Sequence, residues 1–283
     1  MTIGIGVLCE SGTCIILASD GRGTYKQAHL LPNDEMGKQF DLPFNLFGIM
    51  AGFFSHCNSY LPTLYEEMEK LKAHAVLYQG HFRYALRMAQ VREMQYRFDG
   101  ALVQEIGMTL EQWQKEIEHR PRLRRTGRAV IKLTPLVVEM IVGGFINGGP
   151  VLLSVVDKEV PEIVYSHETI GSGGEYALNH LNFRDQNVHM SFQRTVVHVA
   201  EALEAAKLDP HVGEPKDWII LEPNGRVRRL IADHQHIKQL LADFRGKDTD
   251  ALDDDKEARK RILNTLYRLP TTPSGAQKLG LEP

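Results

Sequence analysis

Apolar and β-branched residues dominate the first fifty positions of the chain, in short runs separated by turn-forming residues. Runs of this length and composition predict β-strands. Gly12 and Pro43 fall between neighbouring runs, where a turn accommodates them better than a strand centre does. We therefore predict two antiparallel strand pairs, with a glycine-rich stretch at 19–24 after the first pair. The predicted strands are 2–8, 13–18, 37–42 and 45–52.

The middle of the chain changes to the spacing of amphipathic helices. Apolar residues three or four positions apart predict one helix over 55–75 and a second over 82–106. Thr109 begins a capping pattern ahead of a short helix that ends at Ile117. The arginine-rich stretch 119–128 is interpreted as a basic, solvent-exposed connector.

The second half of the chain returns to strand-like runs and then repeats the change to helical spacing. Strands, helices, strands, helices and strands in this order favour an α+β domain with the helices segregated from the sheets. We predict a main domain over 1–235, expanded by helices at about 80–128, and a C-terminal helical extension with a loose tail over 236–283. The later strands are predicted at 136–145, 151–156, 162–165, 218–221 and 227–230, and the later helices at 174–181, 191–207 and 256–269.

The composition is that of an ordinary soluble globular protein, with 43% hydrophobic and 24% charged residues. A net charge of −3 disfavours a nucleic-acid or membrane-surface partner. No basic leader or unbroken apolar span is visible, and three cysteines without metal spacing fit reduced thiols in a cytoplasm. His234 and His236 form the closest histidine pair but have no cysteine partner, so we expect neither a metal nor another cofactor.

Thr2 becomes the first residue once the initiator Met1 is removed, which a small second residue permits. A threonine hydroxyl is a weak nucleophile unless a base accepts its proton. A free α-amine has an ordinary pKa of about 7.7–8.0. An N-terminal threonine therefore supplies nucleophile and base from one residue, which makes Thr2 a candidate catalytic residue.

Seven segments, of which the first contains this threonine, occur in a fixed order. They are TIGIGV at 2–7, IILASDGRGT at 15–24, GKQF at 37–40, MAG at 50–52, IVGGF at 141–145, IGSGGEYAL at 170–178 and AAKLD at 205–209. Together they resemble the β-type subunits of the proteasome, members of the N-terminal nucleophile hydrolases, and among these the bacterial homologues Anbu and the β-proteasome homologue. The resemblance covers roughly residues 2–230 and implies a four-layer αββα sandwich.

The resemblance also implies roles for individual residues. Thr2 is expected to be the nucleophile, with its own α-amine as the base. Asp20 is expected to hold Lys38 in an ion pair, and the Lys38 ammonium to stabilise the developing alkoxide. Gly52 is expected to donate its backbone N–H to the oxyanion, where a side chain would obstruct the substrate.

Ser172 and Asp209 are expected, by the same resemblance, to hydrogen-bond around the Thr2 amine. The family carries a serine three residues after the aspartate, but this chain has Val212 there, and His211 is a possible substitute. Structural interpretations compete with each catalytic one. Asp20 is a potential cap of the glycine turn, Lys38 a potential surface charge, Ser172 a potential helix N-cap, and Asp209 a potential helix end.

The substrate implied by the resemblance is a peptide or an unfolded protein. Gly23 and Thr24 are expected to pair with its backbone as with an added strand. Met36, Met50 and Phe54 are expected to form an apolar specificity wall, although Met50 and Phe54 suit a plain core equally well. The subunits are expected to assemble into a homo-oligomeric ring.

The leading hypothesis is a threonine peptidase that works through a Thr2 ester resolved by water, without a cofactor. A transpeptidase would form the same ester and resolve it with an amine, and an amidase would form the ester from a small substrate. A third reading is a catalytically silent ring or scaffold subunit, which the presence of Asp20 and Lys38 disfavours.

Overall fold

The structure is a computed structural model that describes residues 3–21, 38–156, 160–232, 234–244, 252 and 256–266. Within these residues the chain forms ten β-strands and eight α-helices. The strands are β1 (Gly4–Cys9), β2 (Cys14–Asp20), β3 (Gln39–Leu42), β4 (Leu46–Gly52), β5 (Val138–Ile146), β6 (Gly149–Val155), β7 (Glu162–Ile163), β8 (His167–Ile170), β9 (Pro215–Leu221) and β10 (Val227–Ile231). The helices are α1 (Phe54–Lys70), α2 (Gln79–Ile106), α3 (Leu110–Glu116), α4 (Pro121–Lys132), α5 (Gly174–Phe183), α6 (Phe192–Ala206), α7 (His234–Phe244) and α8 (Lys256–Leu266).

The strands form two antiparallel five-stranded sheets. The first sheet has the order β10-β9-β2-β1-β8, and the second has the order β3-β4-β5-β6-β7. In the first sheet, β1 lies between β2 and β8, so that Gly4 is opposite both Ser19 and Ile170. The N-terminal strand is therefore central, and its start is flanked by the end of β2 and by the turn after β8.

Three apolar clusters hold these layers together. One cluster joins the first sheet to α5, α6, α7 and α8, and includes Trp218 and Phe192. Another joins the second sheet to α1 and α2, and includes Tyr60 and Phe82. The third lies between the two sheets, where Ile49 of one sheet is buried in the same cluster as Leu17 of the other. Burial of apolar area on both faces of each sheet is the main stabilising term of such layers.

The alternation of side chains along a strand explains why the first sheet contributes residues to two apolar clusters. In β2, Ile16 and Ala18 belong to the helix-side cluster, whereas Ile15 and Leu17 belong to the cluster between the sheets. Side chains two residues apart share a face of a strand, so an uninterrupted apolar run fills both sides of a buried sheet. The predicted α+β class is confirmed by this arrangement.

The basic stretch 119–128, predicted to be a connector, is largely the helix α4. Pro121 occupies its first turn, where the missing N–H costs no helical hydrogen bond. The indole of Trp113 donates to the Leu123 carbonyl at 3.1 Å, and a Cβ at Gly127 would lie 2.0 Å from the indole nitrogen. The prediction of a loop was wrong because the many arginines suggested a solvent-exposed segment, whereas one face of the helix packs on α2 and α3.

Two further elements have no counterpart in the sequence predictions. The short strand β8 and the helix α7 were missed, since β8 is four residues long and the histidines of α7 suggested a polar surface. Ile237 and Leu240 of α7 are nevertheless fully buried in the helix-side cluster of the first sheet, as is Ile262 of α8. The proposed boundary between residues 235 and 236 falls inside α7. None of the described helices has both the length and the apolar character that a bilayer crossing requires.

Candidate active site

Asp20 is the last residue of β2 and is completely buried. One carboxylate oxygen accepts a hydrogen bond from the backbone N–H of Ile3 at 2.9 Å. The other accepts from the N–H of Gly213 at 2.8 Å. Asp20 also returns a backbone bond, donating its own N–H to the Ile3 carbonyl at 3.3 Å. The register shift between Ser19 and Asp20 in the β2–β9 pairing accompanies this change of partners.

The ammonium of Lys38 forms an ion pair with the oxygen of Asp20 that also receives the Ile3 amide. Only 9% of the Lys38 side chain is exposed. Its backbone belongs to the other sheet, because the Lys38 carbonyl accepts from the N–H of Met50 at 3.0 Å. The pair therefore ties the start of β3 to the end of β2, across the gap between the sheets. The interpretation of Lys38 as a plain surface charge does not hold.

Ser172 and Asp209 lie against each other on two tight turns. A Cβ at Gly173 would lie 2.6 Å from the Val212 side chain, so the turn after β8 packs directly on the turn after α6. Gly173 is the N-cap of α5, so Ser172 is not the N-cap residue. Partial burial acts to raise the pKa of Asp209, but the His211 amide and the Ser172 hydroxyl lower it below its usual value.

The hydroxyl oxygen of Ser172 is buried beside the Asp209 carboxylate. Asp209 also accepts a hydrogen bond from the His211 N–H at 2.8 Å. The amide, not the imidazole, of His211 thus fills one acceptor position of this carboxylate.

Gly52 ends β4 in a backbone conformation with φ of +124°, which residues with a Cβ rarely adopt. A Cβ at this position would lie 2.3 Å from the carbonyl oxygen of Val137. The same carbonyl accepts from the N–H of Phe53 at 3.2 Å, and the Val137 N–H donates to His56 Nδ1 at 3.0 Å. The position of the Val137 carbonyl therefore requires glycine at residue 52. The carbonyl and the N–H of Val137 both hydrogen-bond to the segment after β4, at Phe53 and His56 respectively.

Glu139 connects this loop to the turn that carries Ser172. It lies opposite Ala51 in the β4–β5 pairing, and its carboxylate accepts from the N–H of Gly171 at 2.5 Å. Gly171 has φ of +89° and is the residue immediately before Ser172. A second carboxylate, besides Asp20, thus bridges the two sheets at the same end of the molecule.

Sequence reasoning missed three residues that contribute to the candidate site: Glu139, Gly213 and His56. Glu139 offered a signal, because it is a charged residue at an inward position of an otherwise apolar strand. His56 is buried at the start of α1, and burial and the neighbouring Arg97 lower its pKa. Gly213 acts only through its backbone N–H, which carries no sequence signal.

Four predicted site residues lie outside the described part of the chain: Thr2, Gly23, Thr24 and Met36. Of the other residues predicted to form the specificity wall, Met50 is half-buried and packs on the apolar cluster between the second sheet and its helices. Phe54 is described only as the first residue of α1.

Within the described residues, no three His, Cys, Asp or Glu side chains are grouped so as to hold a metal ion. All three cysteines are buried and free. No protein-family model matches the chain, and no curated protein matches it significantly. The assignment of a function therefore depends on the residues and their geometry.

Proposed function

We propose that the chain is a threonine peptidase of the proteasome β type, built on the four-layer αββα sandwich of the N-terminal nucleophile hydrolases. The observation that carries this proposal is the buried Asp20–Lys38 pair, hydrogen-bonded to the backbone of Ile3. Ile3 directly follows Thr2, and consecutive Cα atoms are about 3.8 Å apart. In the proposed reaction, the Thr2 hydroxyl therefore acts beside this pair.

The proposed reaction begins when the Thr2 hydroxyl oxygen attacks the carbonyl carbon of a peptide bond. Its proton passes to the Thr2 α-amine, and the Lys38 ammonium stabilises the oxygen as negative charge develops. The α-amine then protonates the leaving nitrogen as the C–N bond breaks, which leaves an ester on Thr2. Water resolves the ester by the same base, releasing the acid and regenerating the hydroxyl.

Three described features support this sequence of steps. Asp20 accepts two backbone hydrogen bonds and the Lys38 ammonium, which keeps the lysine at a fixed position rather than in solvent. Gly52 occupies a conformation reserved for glycine at the end of β4, as expected for a donor to the oxyanion. The Ser172 hydroxyl is buried beside the Asp209 carboxylate, which suits a pair of groups that orient the α-amine.

Met1 must be removed for this chemistry, because an amide nitrogen does not accept the proton. The test combines the intact mass of the purified protein with its rate of hydrolysis of an unfolded protein and of peptides with an apolar residue before the cleaved bond. We expect Thr2→Ala to abolish turnover and Thr2→Ser to retain part of it. We expect Lys38→Met to lower kcat by at least about 10²-fold.

Lys132→Ala provides the matched control, since it removes a lysine from the exposed C-terminal turn of α4. Turnover that survives in Thr2→Ala, or a mature protein that retains Met1, would contradict the proposal. An added peptide amine separates hydrolysis from transpeptidation, because a ligated product appears only if the amine resolves the ester. Ring assembly, which the family resemblance implies, is part of the proposal and is measured by light scattering.

A further inference from the structure

The outer edge of the first sheet forms a groove whose lining residues are separate from those of the chemistry proposed above. The groove has a volume of about 730 Å³, within the range of ligand sites. It follows β10, the terminal strand of that sheet. The lining residues are Asp41, Phe47, Arg226, Val227, Arg228, Arg229, Leu230, Leu263 and Asn264.

The backbone of β10 offers hydrogen-bonding groups to this groove. The hairpin that leads into β10 is closed by the Glu222 N–H donating to the Arg226 carbonyl at 3.0 Å. Hydrogen-bonded and non-hydrogen-bonded pairs alternate in an antiparallel ladder, so the N–H and C=O groups of Val227 and Arg229 point away from β9. Among the described residues no strand pairs with them, and Val227 is 37% exposed.

The side chains along the groove carry an excess of positive charge. Arg229 is paired with Asp41 and lies over the ring of Phe47, with 5.4 Å between the guanidinium carbon and the ring centroid. Arg226 and Arg228 have no carboxylate partner within the described residues, and the Nε atom of Arg228 is buried without a hydrogen bond. The two arginines are thus available for an anionic group that enters the groove.

The two faces of β10 differ in chemistry. Arg228 lies opposite Ile220, which belongs to the helix-side cluster, so it projects towards the face covered by α8. Arg229 lies opposite Ile219, on the face between the sheets with Phe47. An added strand presents alternate side chains to these two faces, so one set meets Arg228 and the other meets Val227 and the Arg229 side chain that lies over Phe47.

We propose that this edge binds an extended acidic peptide segment, which adds to β10 as a sixth strand and alternates carboxylate with apolar side chains. Main-chain bonds to Val227 and Arg229 provide the pairing, and Arg226 and Arg228 select the acidic residues. Arginines also protect exposed edges from unwanted pairing. The groove beside β10 and the buried, unpartnered Nε of Arg228 distinguish a recognition site from protection alone.

The experiment measures fluorescence anisotropy of a labelled peptide that alternates Glu and Val, with both ends blocked, on the full chain. Val227→Pro removes an N–H that points away from the sheet, at an edge position where proline is tolerated. We expect this variant to weaken binding at least tenfold. We expect the same of Arg228→Glu, whereas Arg122→Glu on the exposed face of α4 leaves the affinity unchanged.

Far-ultraviolet circular dichroism and thermal melting check that each variant is folded, and Arg228→Glu keeps the test decisive if Val227→Pro unfolds. A Lys–Val peptide that binds as tightly as the Glu–Val peptide would overturn the proposal, as would the absence of Glu–Val binding. Binding that appears only after deletion of residues 267–283 would assign the edge to the chain's own terminus and overturn it too. Dimers that Val227→Pro dissociates would assign the edge to a second copy. None of these outcomes depends on Thr2.

Discussion

The buried Asp20–Lys38 pair predicts a specific pattern of stability losses. Lys38→Met removes the ammonium from the fully buried Asp20 carboxylate, while the hydrogen bonds from the amides of Ile3 and Gly213 remain. Removing one partner of a buried ion pair costs about 3–5 kcal/mol. The free energy of unfolding should therefore fall by roughly 3 kcal/mol, and the Tm by roughly 6–12 °C for a chain of this size.

The double variant distinguishes this mechanism from ordinary loss of packing. Asp20→Asn removes the buried charge, so the further change Lys38→Met no longer strands a carboxylate. We expect the double variant to lose at least about 1 kcal/mol less stability than the two single variants together, the size of coupling seen for groups in contact. Urea titrations monitored by circular dichroism measure all four proteins of the cycle.

A coupling below about 0.5 kcal/mol, the limit for independent sites, would refute the claim that these two side chains form one buried unit. Exposed ion pairs provide the comparison. Lys115 and Glu111 are paired on the surface of α3 with more than two thirds of each side chain exposed. Such pairs contribute about 0.3–0.5 kcal/mol, so the same cycle on Lys115 and Glu111 should show little coupling.

Three further predictions follow from individual contacts. Gly52→Ala should lower the free energy of unfolding by about 1–3 kcal/mol, because φ is +124° and the new Cβ meets the Val137 carbonyl. As a control, Gly100→Ala, at an open position of α2, should raise the free energy of unfolding; urea titration measures both variants. Glu139→Ala should speed amide hydrogen exchange at Gly171, and Glu139→Gln, which keeps an acceptor, should restore most of the protection. Burial and Arg194 lower the pKa of His198 to about 4; the unfolded chain then binds more protons than the folded one between about pH 6.5 and 4, so stability should fall as the pH drops through this window by roughly 3 kcal/mol. A His198→Gln variant whose unfolding free energy depends on pH as steeply as that of the parent would contradict the last prediction.

Elements with a strong local pattern were predictable from the sequence. The first hairpin, the helices α1 and α2, and the capping pair at Thr109 all match the predicted positions within a few residues, because each combines apolar periodicity with turn or cap chemistry. In the same way Ser191 accepts from the Arg194 N–H at 3.2 Å and starts α6 where the predicted helix begins.

The elements that escaped prediction depend on tertiary contacts. The four residues of β8 have no marked alternation, and they form a strand because β1 pairs with them. The arginines of α4 and the histidines of α7 suggested solvent exposure, but one face of each helix packs on the body of the protein. Within the candidate site, the Asp20–Lys38 ion pair was expected from the resemblance of the ordered segments to a known family, and not from the two charged residues themselves. The support from Glu139 and Gly213 was not, since it arises only when distant segments meet.

The central claim, that the hydroxyl of Thr2 forms an ester, has a direct test. The purified protein is incubated with a peptide-like β-lactone, which acylates a reactive hydroxyl without losing a leaving group. Tandem mass spectrometry of the digested product then locates the adduct. We predict a single adduct on Thr2 of a chain without Met1, formed much more slowly in the Lys38→Met variant. An adduct on another residue, or a chain that lacks Met1 and takes up no lactone, would contradict the account.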